Sequence, residues 1–171
     1  MSARIVQLVS LVGFAIISLF VLPWLKRTSR ANALVALLAA HVGRVSVLFF
    51  PAAQAAGYPI SNAAVTEAVT GDLLGATLAA AAIIALLRRS RLGIPLTWLL
   101  LIETLIDFAA VIHRRVVEPP TVDPSGPLFV VVAIFAPLLL VTLPLLLWQL
   151  LARRREPLSA RKAGGGVEVA Q

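Results

Sequence analysis

The stretch Ala31–Phe50, ANALVALLAAHVGRVSVLFF, decides how this sequence is read. At 1.5 Å of helical rise per residue it is long enough to cross a hydrocarbon core of ~30 Å. Yet it contains His41 and Arg44. A charged side chain at mid-bilayer costs ~2.5–3.5 kcal/mol on insertion scales, so charge at that depth needs a physical reason.

Four more apolar stretches of similar length flank it, at about Ile5–Leu25, Ala64–Leu87, Ile94–His113 and Leu128–Leu151. No segment shows the two-residue alternation of a membrane barrel strand. The expectation is an all-α polytopic membrane protein, a bundle of five transmembrane helices filling residues 1–155. Residues 156–171 are polar and carry Gly164-Gly165-Gly166, and are expected to form a disordered cytoplasmic tail. Composition agrees: of 171 residues 60% are hydrophobic and 13% charged, whereas a soluble domain carries about a quarter charged residues.

The net charge of +7 does not indicate nucleic-acid binding. The basic residues sit at span ends and in the tail, where they serve topology and meet anionic headgroups. Lys26, Arg27, Arg30, Arg88, Arg89, Arg91, Arg153, Arg154, Arg155, Arg161 and Lys162 fall on one side; Arg4, Arg114 and Arg115 fall on the other. The positive-inside rule then sets the N-terminus outside and the C-terminus in the cytoplasm of a cytoplasmic (inner) membrane. Trp24, Trp98 and Trp148 all reach the cytoplasmic interface in this arrangement, as anchors. If the second stretch did not span, the basic count would fall to 6 against 9, so five spans are expected. The first stretch is read as retained despite Ala31-Asn32-Ala33, because its positive charges follow the apolar run instead of preceding it. The chain has no cysteine, which excludes disulfides and thiol chemistry within it.

Between spans, Pro51–Asn62 reads as a short external turn with Ser61 or Asn62 capping the third helix. Glu118–Pro127, with four prolines, reads as an extended loop. Pro137 and Pro144 are candidate kinks in the fifth helix. Helices 1 and 5, apolar all round, are expected at the periphery. Gly71, Gly75 and Ala79 recur at four-residue spacing and predict a groove for close helix packing, with a second seam at Ala36, Ala39, Ala40 and Gly43. Helices 2, 3 and 4 should therefore form the centre, and they carry the charges.

Depth brings these charges together. Arg44, Asp72 and Asp107 each lie ~10 Å below the external end of their helix, while His41 and Glu103 lie one turn deeper. A two-layer buried polar cluster is expected: Arg44, Asp72 and Asp107 above, His41 with Glu103 beneath. One arginine among three carboxylates leaves a surplus of negative charge. Like charges in a low dielectric favour protonation, and Glu103, taken as deepest and furthest from Arg44, is the candidate to hold a proton, with Glu103 and His41 expected to be the groups that change protonation. A bound cation would be another remedy.

Other chemistry lacks support in the sequence. His113, at the outer end, lies half a membrane from His41, too far for paired haem ligation. A metal held by His41, Glu103 and Asp107 would have the Arg44 cation beside it, so neither metal nor cofactor is expected. No G-x-S-x-G, H-E-x-x-H or phosphate-cradling glycine loop occurs, and enzymatic activity is not expected.

From about Ala40 to His113 the chain resembles a family of small bacterial integral membrane proteins of no assigned activity. The shared features are His41-x-x-Arg44, Phe49 and Phe50, a Gly57-x-Pro59 turn, Gly71-Asp72 opening an alanine-rich helix, and Asp107 in the next helix. Glu103 and the fifth helix stand outside that pattern. The resemblance implies that these polar positions act together. The functional expectation is a proton- or cation-linked transporter or accessory subunit, in a homo-oligomer or larger membrane complex. The alternatives are a structural subunit with a static ion-pair network, or an intramembrane binder of lipid, quinone or pigment.

Overall fold

The computed structural model describes residues 3–117 and 126–158. Most of the expected loop Glu118–Pro127 lies outside the described residues, as does the tail from residue 159 onward. The described chain is helical, with α1 (Ala3–Arg27), α2 (Arg30–Val42), a 3₁₀ segment (Gly43–Leu48) and α3 (Phe49–Ala55) in its first half. There follow α4 (Asn62–Leu87), α5 (Gly93–Val117), α6 (Gly126–Val130), a π segment (Val131–Phe135) and α7 (Ala136–Ala152). Among the described residues, five runs are long and apolar enough to cross a membrane: Ile5–Arg27, Arg30–Ala55, Asn62–Leu87, Gly93–Arg114 and Leu128–Ala152.

The second run does not stop at Phe50. Pro51 is the third residue of α3, and the first turn of a helix tolerates proline because its N–H would be unpaired there anyway. The external turn is therefore shorter than expected. Gly57, at φ 89°, reverses the chain, and the Ser61 hydroxyl accepts from the Ala64 N–H at 3.2 Å to cap α4. The fifth run departs from α geometry just before Pro137, where the Ala136 N–H donates to the Val131 carbonyl across five residues. The proline ring crowds the carbonyl four residues back, and a π turn relieves it.

The packing corrects the expected centre. α4 lies against both α2 and α5, and α2 lies against both α4 and α7, with α1 on α7 beyond. The apolar core unites Leu34, Leu37 and Leu38 of α2, Ala79, Ala82 and Leu86 of α4, Leu100 and Leu101 of α5, and Leu143, Leu146 and Leu150 of α7. The fifth span is thus part of the interior, and α1 is the most exposed of the five. An all-round apolar helix reads alike whether lipid or protein surrounds it, and so the sequence could not separate the two. The alanine seam of helix 2 also faces outward at Ala36 and Ala39. The buried face is Arg30, Ala33, Leu34, Leu37, Leu38 and His41.

Two arginines bind one end of the bundle together. Arg30, at the start of α2, donates to the carbonyls of Gln149 (3.2 Å), Leu150 (3.2 Å) and Arg154 (3.3 Å) at the end of α7. Arg153, leaving α7, donates to the carbonyls of Leu25 (2.8 Å) and Thr28 (2.9 Å) at the end of α1. It also meets the Gln149 side chain and Glu156. The last carbonyls of a helix have no partner within it and carry its negative pole, so a cation there satisfies both needs. The hydrogen bond from Arg153 holds the Glu156 carboxyl below its ordinary range. That contribution is present above the ordinary carboxylate pKa and is lost as pH falls through the depressed value. Both arginines are buried, so neither is merely a headgroup contact.

Replacing Arg153 with Ala should uncap α1 and cost ~1–3 kcal/mol, since buried carbonyls lose a charged donor. A lowered thermal midpoint in detergent would register it; an unchanged midpoint would refute the capping role.

Candidate functional site

Arg44 stands in the 3₁₀ segment of helix 2 with its side chain 1% exposed. Its Nε donates to Asp72 Oδ1 at 2.6 Å, and its Nη2 to Asp107 Oδ2 at 2.7 Å. Nη1 reaches Glu103 Oε2 at 2.8 Å and Thr104 Oγ1 at 3.0 Å, and Nη2 also reaches Glu103 Oε1 at 3.3 Å. A guanidinium has five N–H donors in a fixed planar fork. Here five acceptor contacts, on two neighbouring helices, meet them.

Getting there requires passing α4, and two glycines open the way. A Cβ on Gly75 would run into Arg44 Nη1 and Cζ, and one on Gly71 would lie 2.5 Å from Asp107 Oδ1. The Gly71-Gly75 groove was expected to admit a neighbouring backbone; it admits the charged side chains instead. Ala79, one turn further along, is fully buried in the apolar core. Gly43 serves a different contact, lying under the Phe135 ring of the π segment, whose Cε1 would be 2.9 Å from an added Cβ.

The layering differs from expectation. Glu103 joins Arg44, Asp72 and Asp107 in one cluster, in direct contact with the guanidinium at 2.8 Å. His41 is fully buried but turns towards helix 5, where its Nε2 lies 3.1 Å from Thr142 Oγ1. The i,i+3 spacing of His41 and Arg44 sets them near one face, yet their side chains diverge. Among the described residues no grouping of three or more His, Cys, Asp or Glu side chains is arranged to hold a metal ion.

Exposure is uneven across the cluster. The Asp72, Asp107 and Glu103 side chains are 24%, 22% and 11% exposed, against 1% for Arg44. The cation is sealed while the carboxylates keep an open edge. If all three are ionised, the cluster carries two negative charges in excess.

Further along the same seam, Arg114 of α5 pairs with Glu67 of α4. Neither was singled out as a site residue from the sequence, although the spacing held a signal. Glu67, Gly71 and Gly75 are four apart on α4, and Glu103, Asp107, Ala110 and Arg114 follow at steps of four, three and four on α5. Such steps keep residues on one helix face. Thr104, the neutral partner of Arg44, was also missed. Of the expected anchors, Trp24 is exposed, while Trp98 and Trp148 pack in part against the core.

Among the described residues, fold and site define an all-helical arrangement of five membrane-length helices, three of them tied by one arginine. The chain belongs to the DUF8737 family, a domain of unknown function whose model matches residues 3–151. The matched region reaches into the fifth span. No curated protein and no solved structure matches the chain.

Gly75→Ala should destabilise the fold by ~1–3 kcal/mol through overpacking against Arg44. Gly13→Ala, where nothing lies within 4 Å of the new methyl, should be neutral or slightly stabilising. Thermal midpoints of the two variants in one detergent test the difference, and equal midpoints would contradict the groove's role.

Proposed function

We propose that this chain is a multi-pass protein of a bacterial-type cytoplasmic membrane, N-terminus outside, acting as a proton- or cation-linked transporter or accessory subunit. The observation that carries this reading is the ratio of one enclosed guanidinium to three partly open carboxylates. Ionisable groups among membrane-length helices mark proton or ion paths when they exceed what pairing alone needs. The surplus of negative charge is met by a proton or cation that comes and goes. The basic ends of the first, third and fifth helices support the orientation, even with Arg30 and Arg153 set aside as buried caps. Five helices are few for a whole transport pathway, so the working unit is a homo-oligomer or a larger complex. His41, bonded towards Thr142, stands apart from the carboxylates in this reading.

One observation favours a second reading, a static brace. The contacts of Arg44 use its full set of donors, as a purely structural tie would. Asp107→Asn distinguishes the two, because the amide keeps an acceptor for Nη2 and removes the charge. With the native chain in liposomes containing a pH-sensitive dye, an imposed gradient should drive proton uptake. Asp107→Asn should lower it by at least about tenfold while the protein stays folded. No uptake by the native chain, together with a large fall in the variant's thermal midpoint, would favour the brace.

A further inference from the structure

Above the cluster, where α4 meets α5, lies an open cleft of about 270 Å³ lined by Glu67, Ala110, His113, Arg114 and Val117. Its inner residues adjoin the cluster on both helices. Glu67 is one turn from Gly71 on α4, and Ala110 is one turn from Asp107 on α5. The missing side chain of Gly71 leaves the space that the Asp107 carboxylate fills, so Asp107 lies against α4 one turn below the lining residues Glu67 and Ala110. From Arg114 to Glu103 is eleven residues of helix, or ~16 Å of rise, about half a hydrocarbon core.

We infer that the α4–α5 seam is a water-filled half-channel that delivers protons to Asp107 from the Arg114 end, with the Glu67–Arg114 pair as its gate. This deepens the reading above, on which it rests, by naming the route and the ion. The groups facing the route are His113, Arg114 and Glu67 at the mouth, and Asp107, Glu103, Asp72 and Arg44 at the floor. The negative surplus at the floor draws any cation, but a metal ion needs several free oxygen ligands, and each of the three carboxylates already commits oxygen to Arg44. A proton needs no such ligands, because it moves by exchange along water and carboxylates. The partial exposure of Asp107, against the enclosure of Arg44, is what a path ending on the carboxylate requires. While Glu67 holds Arg114 across the mouth, the cavity is narrowed at the point where water enters.

The chain has no cysteine, so Ala110→Cys provides a sole thiol inside the seam and Ile106→Cys one on the outward side of α5, where Ile106 is 65% exposed. A charged, membrane-impermeant methanethiosulfonate should modify Ala110→Cys in proteoliposomes at least about tenfold faster than Ile106→Cys, because such reagents need water at the thiol. Adding Glu67→Gln, which removes the negative charge paired with Arg114, should raise the Ala110→Cys rate severalfold. As a second measurement on the unsubstituted chain, a water-soluble carbodiimide with an amine should label Asp107. Equal rates at positions 106 and 110, or an unlabelled Asp107, would overturn the half-channel. An unchanged rate with Glu67→Gln would overturn the gate. A closed seam with intact proton uptake defeats this inference alone, whereas an open seam without uptake defeats the functional reading.

Discussion

Arg44 cannot shed its charge. A guanidinium keeps its proton at any pH a cell meets, so one removed from water must find an acceptor for each donor and a counter-charge nearby. An unpaired charge in such surroundings is strongly destabilising, and a paired one holds only with good geometry. The middle of this bundle meets those demands. Gly75 gives the side chain passage, Gly71 gives Asp107 room to turn in, and α5 supplies two carboxylates and a threonine. Helices 2, 3 and 4 are consequently fixed in depth relative to one another.

The arginines at the far end of the bundle solve the same problem differently. Arg30 and Arg153 use backbone carbonyls left over at the ends of α7 and α1, so they need little counter-charge within the apolar interior. Their role is to gather helix ends, and removing either leaves no acid stranded in the apolar middle. Arg44 is the opposite case. Its three acids have no other strong donor in the cluster, which makes their charge state depend on that one residue. A site whose charge is incompletely cancelled can respond to protons at its carboxylates, whereas the backbone carbonyls that hold Arg30 and Arg153 do not titrate.

Helix number and type were legible in the sequence because an apolar run of some twenty residues is a strong and unambiguous signal. The gathering of Arg44, Asp72 and Asp107 was legible from depth alone, as each helix carries its charge at a similar distance from the same end. Partner choice was not legible. His41 and Glu103 share a depth but face different helices, and rotation about a helix axis is set by packing that depth does not report. The periphery was misread for a related reason: the leucine surface of α7 carries no mark of whether Leu143 and Leu146 meet lipid or α2. Proline position refined the picture in both directions. Pro51 fell early enough in its helix to be accommodated, whereas Pro137 displaced the hydrogen bonding ahead of it.

The central claim is that one guanidinium crosses α4 and is held by acids of α4 and α5 together. Solid-state NMR of the chain in lipid bilayers, with arginine nitrogens and carboxyl carbons labelled, tests it directly. Through-space cross-peaks should connect the Arg44 guanidinium to the side-chain carboxyls of Asp72, Glu103 and Asp107. Arg44 signals coupled to water or phospholipid headgroups alone, with no carboxyl neighbour, would contradict the account.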